Sequence, residues 1–394
     1  MPPRPSTKKP NSNPLKKKGP ENKFQRQQQP QQHSKEEETP FDNPTNTIPL
    51  SLQQLLLNVF QSALVPNTST SQDGKQDASQ RDAIEDEGQL DVKPLIQTIK
   101  SHLYNRDFDS AFTDANEELL RAYALRWSAS RTLGYAGVFK AVLGILSGDK
   151  ERRGAGGQIV CIGGGAGAEI VALAGVWRDI VALPTDDMNG EEGEGEGEGR
   201  MELKVTAVDI ADWSGVIRRL DGAIRSSKVS GSKRHPAPLL PDGKRDKFSV
   251  TFQKADVLSL PEGELKSLYG QGTVMVTLMF TLNELFSTSM AKATAFLLRT
   301  TDVVEPGTLL LVVDSPGSYS SLSLGKSEEK VERKYPMKFL LDHTLLSVAE
   351  GKWEKVLSQD SRWWRRDAAR LRYEVGEGAG LEDMRFQVHL YKRL

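Results

Sequence analysis

A single cysteine, Cys161, stands in 394 residues, which excludes an intramolecular disulfide framework. Five scattered histidines exclude a zinc ribbon or finger, and no metal is expected. Long hydrophobic runs are missing too. No apolar stretch reaches membrane-spanning length, and the N-terminus is charged, Pro-rich and Gln-rich without the apolar core of a secretory signal. Neither a Walker A sequence nor a conventional nucleophile motif occurs. Hydrophobic residues make up only 37% of the chain and mean hydropathy is -0.48, so a sizeable part of it buries nothing. Net charge is nearly absent, with 52 basic against 53 acidic residues, but the signs are segregated along the chain. The expectation is an intracellular, monomeric protein of one α/β domain with tails and insertions, without membrane partners.

What is present is organised around Ile159-Val160-Cys161-Ile162-Gly163-Gly164-Gly165-Ala166-Gly167-Ala168-Glu169, an apolar run that breaks into glycines and then into the helix-forming stretch Ile170 to Arg178. This reads as strand, tight turn, helix. Gly163, Gly165 and Gly167 open dihedrals closed to other residues and let a ligand lie against the main chain. Such a turn serves dinucleotide-binding proteins and S-adenosylmethionine-dependent methyltransferases alike, and the spacing Gly163-x-Gly165-x-x-Ala168 fits the former.

Residues 1–47, with Lys16, Lys17 and Lys18 among Pro, Asn and Gln, read as a disordered basic tail, suited to phosphate contact or nuclear import. Residues 48–150 read as a helical region. Its first helix carries the stripe Leu52, Leu55, Leu56, Val59, Phe60 and Leu64 for docking on the main domain or a partner, and residues 66–91 form a flexible linker. Tyr123, Arg126, Trp127, Arg131 and Tyr135 follow at helical spacings. They serve either as a core with Arg stems across it or as a surface over cofactor or target base, with Arg131 on the face of Trp127. Residues 151–394 form the α/β domain, interrupted by insertions at 186–199, a Glu-Gly repeat, and 228–247, basic and Pro-rich.

Within that domain the strand Leu203 to Val208 ends in Asp209, the position of the ribose-binding carboxylate of a nucleotide-binding unit, or a helix cap. Asp256 closes the next strand and either accepts from an adenine amino group or caps a helix. The apolar run Thr273 to Met279 leads into Phe280-Thr281-Leu282-Asn283-Glu284. Thr281 and Glu284 have capping-box spacing; alternatively Thr281 meets the cofactor while Asn283 and Glu284 face the reacting centre. A helix from Ser287 to Thr301 and a buried strand Leu309 to Val313 complete another unit, with Asp314 at the corresponding edge, followed by a helical stretch Tyr335 to Val348. Arg362-Trp363-Trp364-Arg365-Arg366 suits phosphate neutralisation with base stacking, or else a surface helix with its aromatics tucked inward.

Strands near 158, 203, 248, 273, 308, 353 and 385, with helices between the first five, give a doubly wound seven-stranded sheet. The terminal antiparallel pair suits class I methyltransferases better than dehydrogenases.

The segments Tyr123-Ala-Leu-Arg126-Trp127-Ser-Ala-Ser-Arg131, Cys161-Ile-Gly163-Gly-Gly165-Ala-Gly167-Ala-Glu169, Phe280-Thr-Leu-Asn283-Glu284 and Met384-Arg-Phe386-Gln-Val-His-Leu resemble the fungal 25S ribosomal RNA uridine-N3 methyltransferases, from about residue 48 to the C-terminus. The resemblance implies S-adenosylmethionine as cofactor, ribosomal RNA or the pre-ribosomal large subunit as partner, and a nuclear or nucleolar location, with the cytoplasm as a second one. It sets Gly163, Gly165 and Gly167 against the methionine end, Asp209 against the ribose and Asp256 against the adenine. Many class I enzymes have an acid two residues before the first glycine, where this chain has Cys161. A thiol is a poor partner for an ammonium group, so another residue must hold the cofactor's amine. In the implied reaction Asn283 binds a uracil carbonyl, Glu284 or Asp314 accepts the N3 proton, and Arg126, Trp127, Arg131, Trp364, Arg365 and Arg366 hold the RNA. A catalytically inactive RNA-binding assembly factor is the alternative, and it would bind no cofactor.

Overall fold

A computed structural model describes residues 48–65, 90–105, 107–148, 157–182, 202–240, 247–317, 319–324 and 331–394. The basic tail, nearly all of the linker after residue 65 and the Glu-Gly insertion lie outside the described residues.

Five strands run parallel: β1 (Gly157–Ile162), β2 (Leu203–Asp209), β3 (Phe248–Lys254), β4 (Thr273–Met279) and β5 (Leu309–Asp314). A separate hairpin, β6 (Tyr319–Leu324) with β7 (Val331–Pro336), precedes β8 (Trp353–Trp364) and β9 (Met384–Arg393). The sheet order is β3-β2-β1-β4-β5-β9-β8, so the last strand slots antiparallel between β5 and β8. This is a doubly wound seven-stranded sheet with the terminal antiparallel pair that the strand count predicts. The hairpin has no counterpart in the sequence-based expectation.

Apolar side chains of the central strands point alternately to two layers. Ile159 and Cys161 of β1 join a cluster with α1 (Leu50–Leu64), α4 (Ala129–Gly148), α5 (Ala168–Ala182) and α6 (Ser214–Ile224). Val160 and Ile162 join one with α7 (Glu262–Tyr269), α8 (Leu282–Thr288), α9 (Met290–Val303) and α10 (Met337–Asp342). Cover on both faces is what a continuous apolar run demands.

The stripe on α1 is buried, and this helix docks on the domain itself: a Cβ on Gly175 of α5 would stand 2.9 Å from Leu56 Cδ2. Its polar edge holds the C-terminal segment, since Gln54 Nε2 donates to the Arg372 carbonyl at 2.8 Å and Gln61 Nε2 to that of Glu374 at 3.1 Å. Leu56→Ala is expected to cost about 2–5 kcal/mol, read as a lower urea midpoint with an unchanged slope.

Two local expectations change. The stretch Ser287 to Thr301 is two helices, because Ser289 takes an extended conformation and its Oγ accepts the Lys292 N–H to start α9. Tyr335 and Pro336 finish β7, and the helix begins only at Met337. Of the second insertion, residues 228–240 are described, and they pack: Val229, Leu239 and Leu240 are buried, and His235 Nδ1 lies 2.7 Å from Ser51 Oγ of α1.

Candidate active site

The chain runs from β1 to β2 on one side and reaches β4 on the other, so a crevice opens where these strands end. Ile162 pairs with Val208 and with Leu278, which brings Gly163, Asp209 and Phe280 to one edge. The cleft there is also walled by α4 and by the segment before α3 (Glu117–Tyr123).

The glycine turn forms as expected, with distinct jobs for its glycines. Gly163, at φ 73°, lines the cleft, and a Cβ there would stand 2.2 Å from Thr281 Oγ1. At Gly165 a Cβ would stand 2.0 Å from Trp213 Cδ1, and its N–H donates to Asp209 Oδ2 at 3.1 Å. Gly165 and Gly167 shape the turn from behind and are not among the lining residues.

Asp209 also accepts the Ala211 N–H at 3.2 Å. Burial pushes its carboxyl up to about 6 against the pull of these backbone donors. Asp256 lines the cleft and closes its own turn, accepting from the Leu258 N–H at 3.0 Å and the Ser259 hydroxyl at 2.7 Å.

At the end of β4, Phe280 takes φ 59°, left-handed for a non-glycine residue and worth about 1–3 kcal/mol of strain. Thr281 Oγ1 bonds back to the Met279 carbonyl at 3.3 Å, so the capping box its spacing suggests does not form. Glu284 instead enters the cleft. Enclosure by protein lifts its carboxyl to about 7, with Arg131 opposing the rise and Asp314 and Asp209 adding to it. The residue stands at the mouth of the cleft, open to solvent on one side.

Asp314 and Asn283 take other roles than those expected. The Asp314 carboxylate is buried, accepting the Asn283 N–H at 3.0 Å and the Ser315 N–H at 2.7 Å; it holds the first turn of α8 in place of the capping box. Neither residue is among those lining the cleft, which leaves Glu284 as the candidate base.

A π-helical turn, Ala124–Ser128, separates α3 from α4 and resets the helical face. Arg131 lies in the cleft wall, its guanidinium 4.8 Å from the Phe280 ring and donating to Tyr123 Oη at 2.9 Å. Trp127 packs on Tyr123, with ring centroids 4.8 Å apart, outside the lining. Arg126 is buried, bonded to Glu382 and to the Gly380 carbonyl, and so anchors the C-terminal segment where RNA contact was expected. Trp364 likewise turns inward on Gly134 and the core. As β8 is a strand, alternation turns Trp363 outward: it is 49% exposed, with the Arg365 guanidinium 3.8 Å and that of Arg385 5.7 Å from its ring. Arg365 and Arg366 are exposed and share Asp383.

Sequence reasoning passed over Glu169, Trp213 and Phe280. Only Glu169 left a signal, as an acid directly after the glycine turn, in the first turn of α5. Among the described residues no helix is long and apolar enough to cross a membrane, and no three His, Cys, Asp or Glu are grouped to hold a metal ion.

The chain is similar to several known proteins. The 25S rRNA (uridine(2843)-N(3))-methyltransferase of Saccharomyces cerevisiae is 34% identical over 75% of this chain and 76% of its own length. Among solved structures, the magnesium protoporphyrin IX methyltransferase of Synechocystis PCC 6803 with bound SAM aligns over 78% of this chain and 99% of its own, at 12% identity and TM-score 0.35. A SAM-dependent methyltransferase of Methanosarcina mazei aligns over 61% and 93%, at 12% identity and TM-score 0.34. Residues 75–392 match the model of the family described as SAM-dependent methyltransferases, and the chain belongs to that family.

Proposed function

We propose that the chain methylates N3 of a uridine in large-subunit ribosomal RNA, acting in the nucleus or nucleolus during ribosome assembly. Support for the acceptor comes from the yeast relative, whose name carries both that RNA and that atom. Support for the chemistry comes from one observation: Glu284 stands in the cleft at the strand edge that carries the glycine turn, and the enclosure raises its carboxyl from the ordinary value.

The family's cofactor fits these residues. Gly163 keeps the turn open where a side chain would fill it, and Glu169 Oε1 is buried without a hydrogen-bond partner in the cleft wall. S-adenosylmethionine supplies, when bound, a methyl group already activated on a sulfonium. In this reading Asp209 holds the ribose hydroxyls, Asp256 the adenine amino group, and Gly163 with Thr281 flanks the methionine end. Glu284 takes the N3 proton, which is acidic because N3 lies between two carbonyls, and so leaves on nitrogen the electron pair that would accept the methyl group as its bond to sulfur breaks and the neutral thioether leaves. A base near neutrality is in its ionised form often enough and still strong enough for that transfer. Asn283 and Asp314 act from behind, fixing the turn of α8 from which Glu284 projects.

N3 sits on the Watson-Crick edge, so the target must be unpaired or flipped out, and the RNA around it needs a platform. Exposed Trp363, with Arg365, Arg366 and Arg385, is the platform this reading assigns. Trp363→Ala is expected to weaken RNA binding by about 1–3 kcal/mol, the worth of one stacked base. Filter binding over a salt series checks it, with cofactor affinity as the unchanged control.

The acceptor is tested with purified protein, tritiated S-adenosylmethionine and deproteinised or subunit-bound large-subunit RNA, digested afterwards to nucleosides. Label eluting with 3-methyluridine supports the reading. Label in any other nucleoside sinks it.

A further inference from the structure

We propose that Glu169 and Arg131 clamp the two charged ends of the cofactor's amino acid, Glu169 receiving the α-ammonium group and Arg131 the α-carboxylate. The inference rests on the cofactor reading above and deepens it.

Its starting point is a vacancy in chemistry. Cys161 occupies the position from which an acid could reach the ammonium, but its side chain is fully buried in the core behind β1, and burial pushes its thiol well up, away from any charged form. One residue beyond the glycine turn's last small residue, Glu169 supplies what is missing. It is 3% exposed, lines the cleft, and its Oε1 has no hydrogen-bond partner among the described residues. A buried acceptor left unmatched is costly, and native structures keep one mainly where a ligand completes it.

The cleft's charges point the same way. Asp109, Glu169, Asp209, Asp256 and Glu284 line it, and among the described residues Arg131 is the one cation in the lining. S-adenosylmethionine carries two positive groups and one negative group, so an acidic cleft with a single guanidinium matches its signs. Arg131 is held by Tyr123 Oη and the Phe280 ring. The groups that act on Glu169 come from three elements: Arg131 and Tyr135 of α4, Cys161 of β1 and Asp209 at the end of β2. Burial dominates and pushes the Glu169 carboxyl up to about 8, so at neutral pH it holds a proton until an ammonium group arrives.

The test is isothermal calorimetry with three probes. S-adenosylhomocysteine has both charged ends, its decarboxylated analogue keeps only the amine, and 5′-methylthioadenosine has neither. Glu169→Gln, which is isosteric, is expected to weaken the first two by tenfold or more and leave the third unchanged. Arg131→Met is expected to weaken only the first. Wild-type protein at pH 7, compared in buffers of unequal ionisation enthalpy, is expected to release a proton on binding S-adenosylhomocysteine and none on binding 5′-methylthioadenosine. This last arm needs no variant to fold. Equal affinity of Glu169→Gln and wild type for S-adenosylhomocysteine, or equal affinity of the wild-type protein for S-adenosylhomocysteine and 5′-methylthioadenosine, overturns the clamp while leaving cofactor binding intact. Failure of wild-type protein to bind any of the three overturns the cofactor reading itself.

Discussion

Glu284→Gln lowers the rate of methyl transfer by about 10²–10⁴-fold and leaves the affinity for S-adenosylmethionine unchanged. That magnitude is the usual worth of a positioned proton acceptor. The amide keeps the size of the side chain and its place at the start of α8, so loss of rate without loss of binding separates proton transfer from cofactor grip. The pH profile supplies the sign. Its place in the cleft raises the Glu284 carboxyl from the ordinary value toward neutrality, and the base works only when ionised. The single-turnover rate of wild-type protein therefore rises with pH through the neutral region and levels above it. Glu284→Gln removes that rise. A variant with full turnover, or a wild-type rate that falls over the same range, takes Glu284 out of the reaction.

Gly165→Ala carries the second large effect, here on binding. A Cβ at this position would stand 2.0 Å from Cδ1 of Trp213, a residue that is 2% exposed and also walls the cleft. Neither can yield cheaply. The turn must shift, and with it the N–H that Gly165 donates to Asp209. Overpacking of this kind costs about 1–3 kcal/mol of stability, and the displaced Asp209 is expected to lower cofactor affinity by about tenfold or more. Gly222 on α6 is the internal control, because nothing lies within 4 Å of a Cβ there. Gly222→Ala is expected to stabilise the chain by about 0.5–1 kcal/mol and leave binding alone. Calorimetry and thermal melts on the two variants check both halves.

The parts of this site written in contiguous residues are the parts the sequence announces. The apolar run into Gly163, the strand ending in Asp209 and the buried run up to Met279 each carry their own local reason, and parallel pairing then sets their ends level. Contacts that depend on distant partners stay hidden. Thr281 and Glu284 have the spacing of a capping box, but Asp314, brought alongside by β5, takes over the cap and frees Glu284 for the cleft. Arg131 owes its place to a π-helical turn that periodicity does not encode, and to Phe280, which lies far along the chain. The choice between Trp363 and Trp364 turns on whether the segment is strand or helix, and two adjacent tryptophans suit either. Arg126 reads as a free cation until Glu382 arrives from the C-terminal segment to bury it.

Nucleoside mass spectrometry of large-subunit RNA from cells lacking the protein tests the central claim most directly. The expected result is loss of 3-methyluridine, restored by the wild-type chain and not by Glu284→Gln. Full retention of 3-methyluridine in the deletion strain contradicts the account.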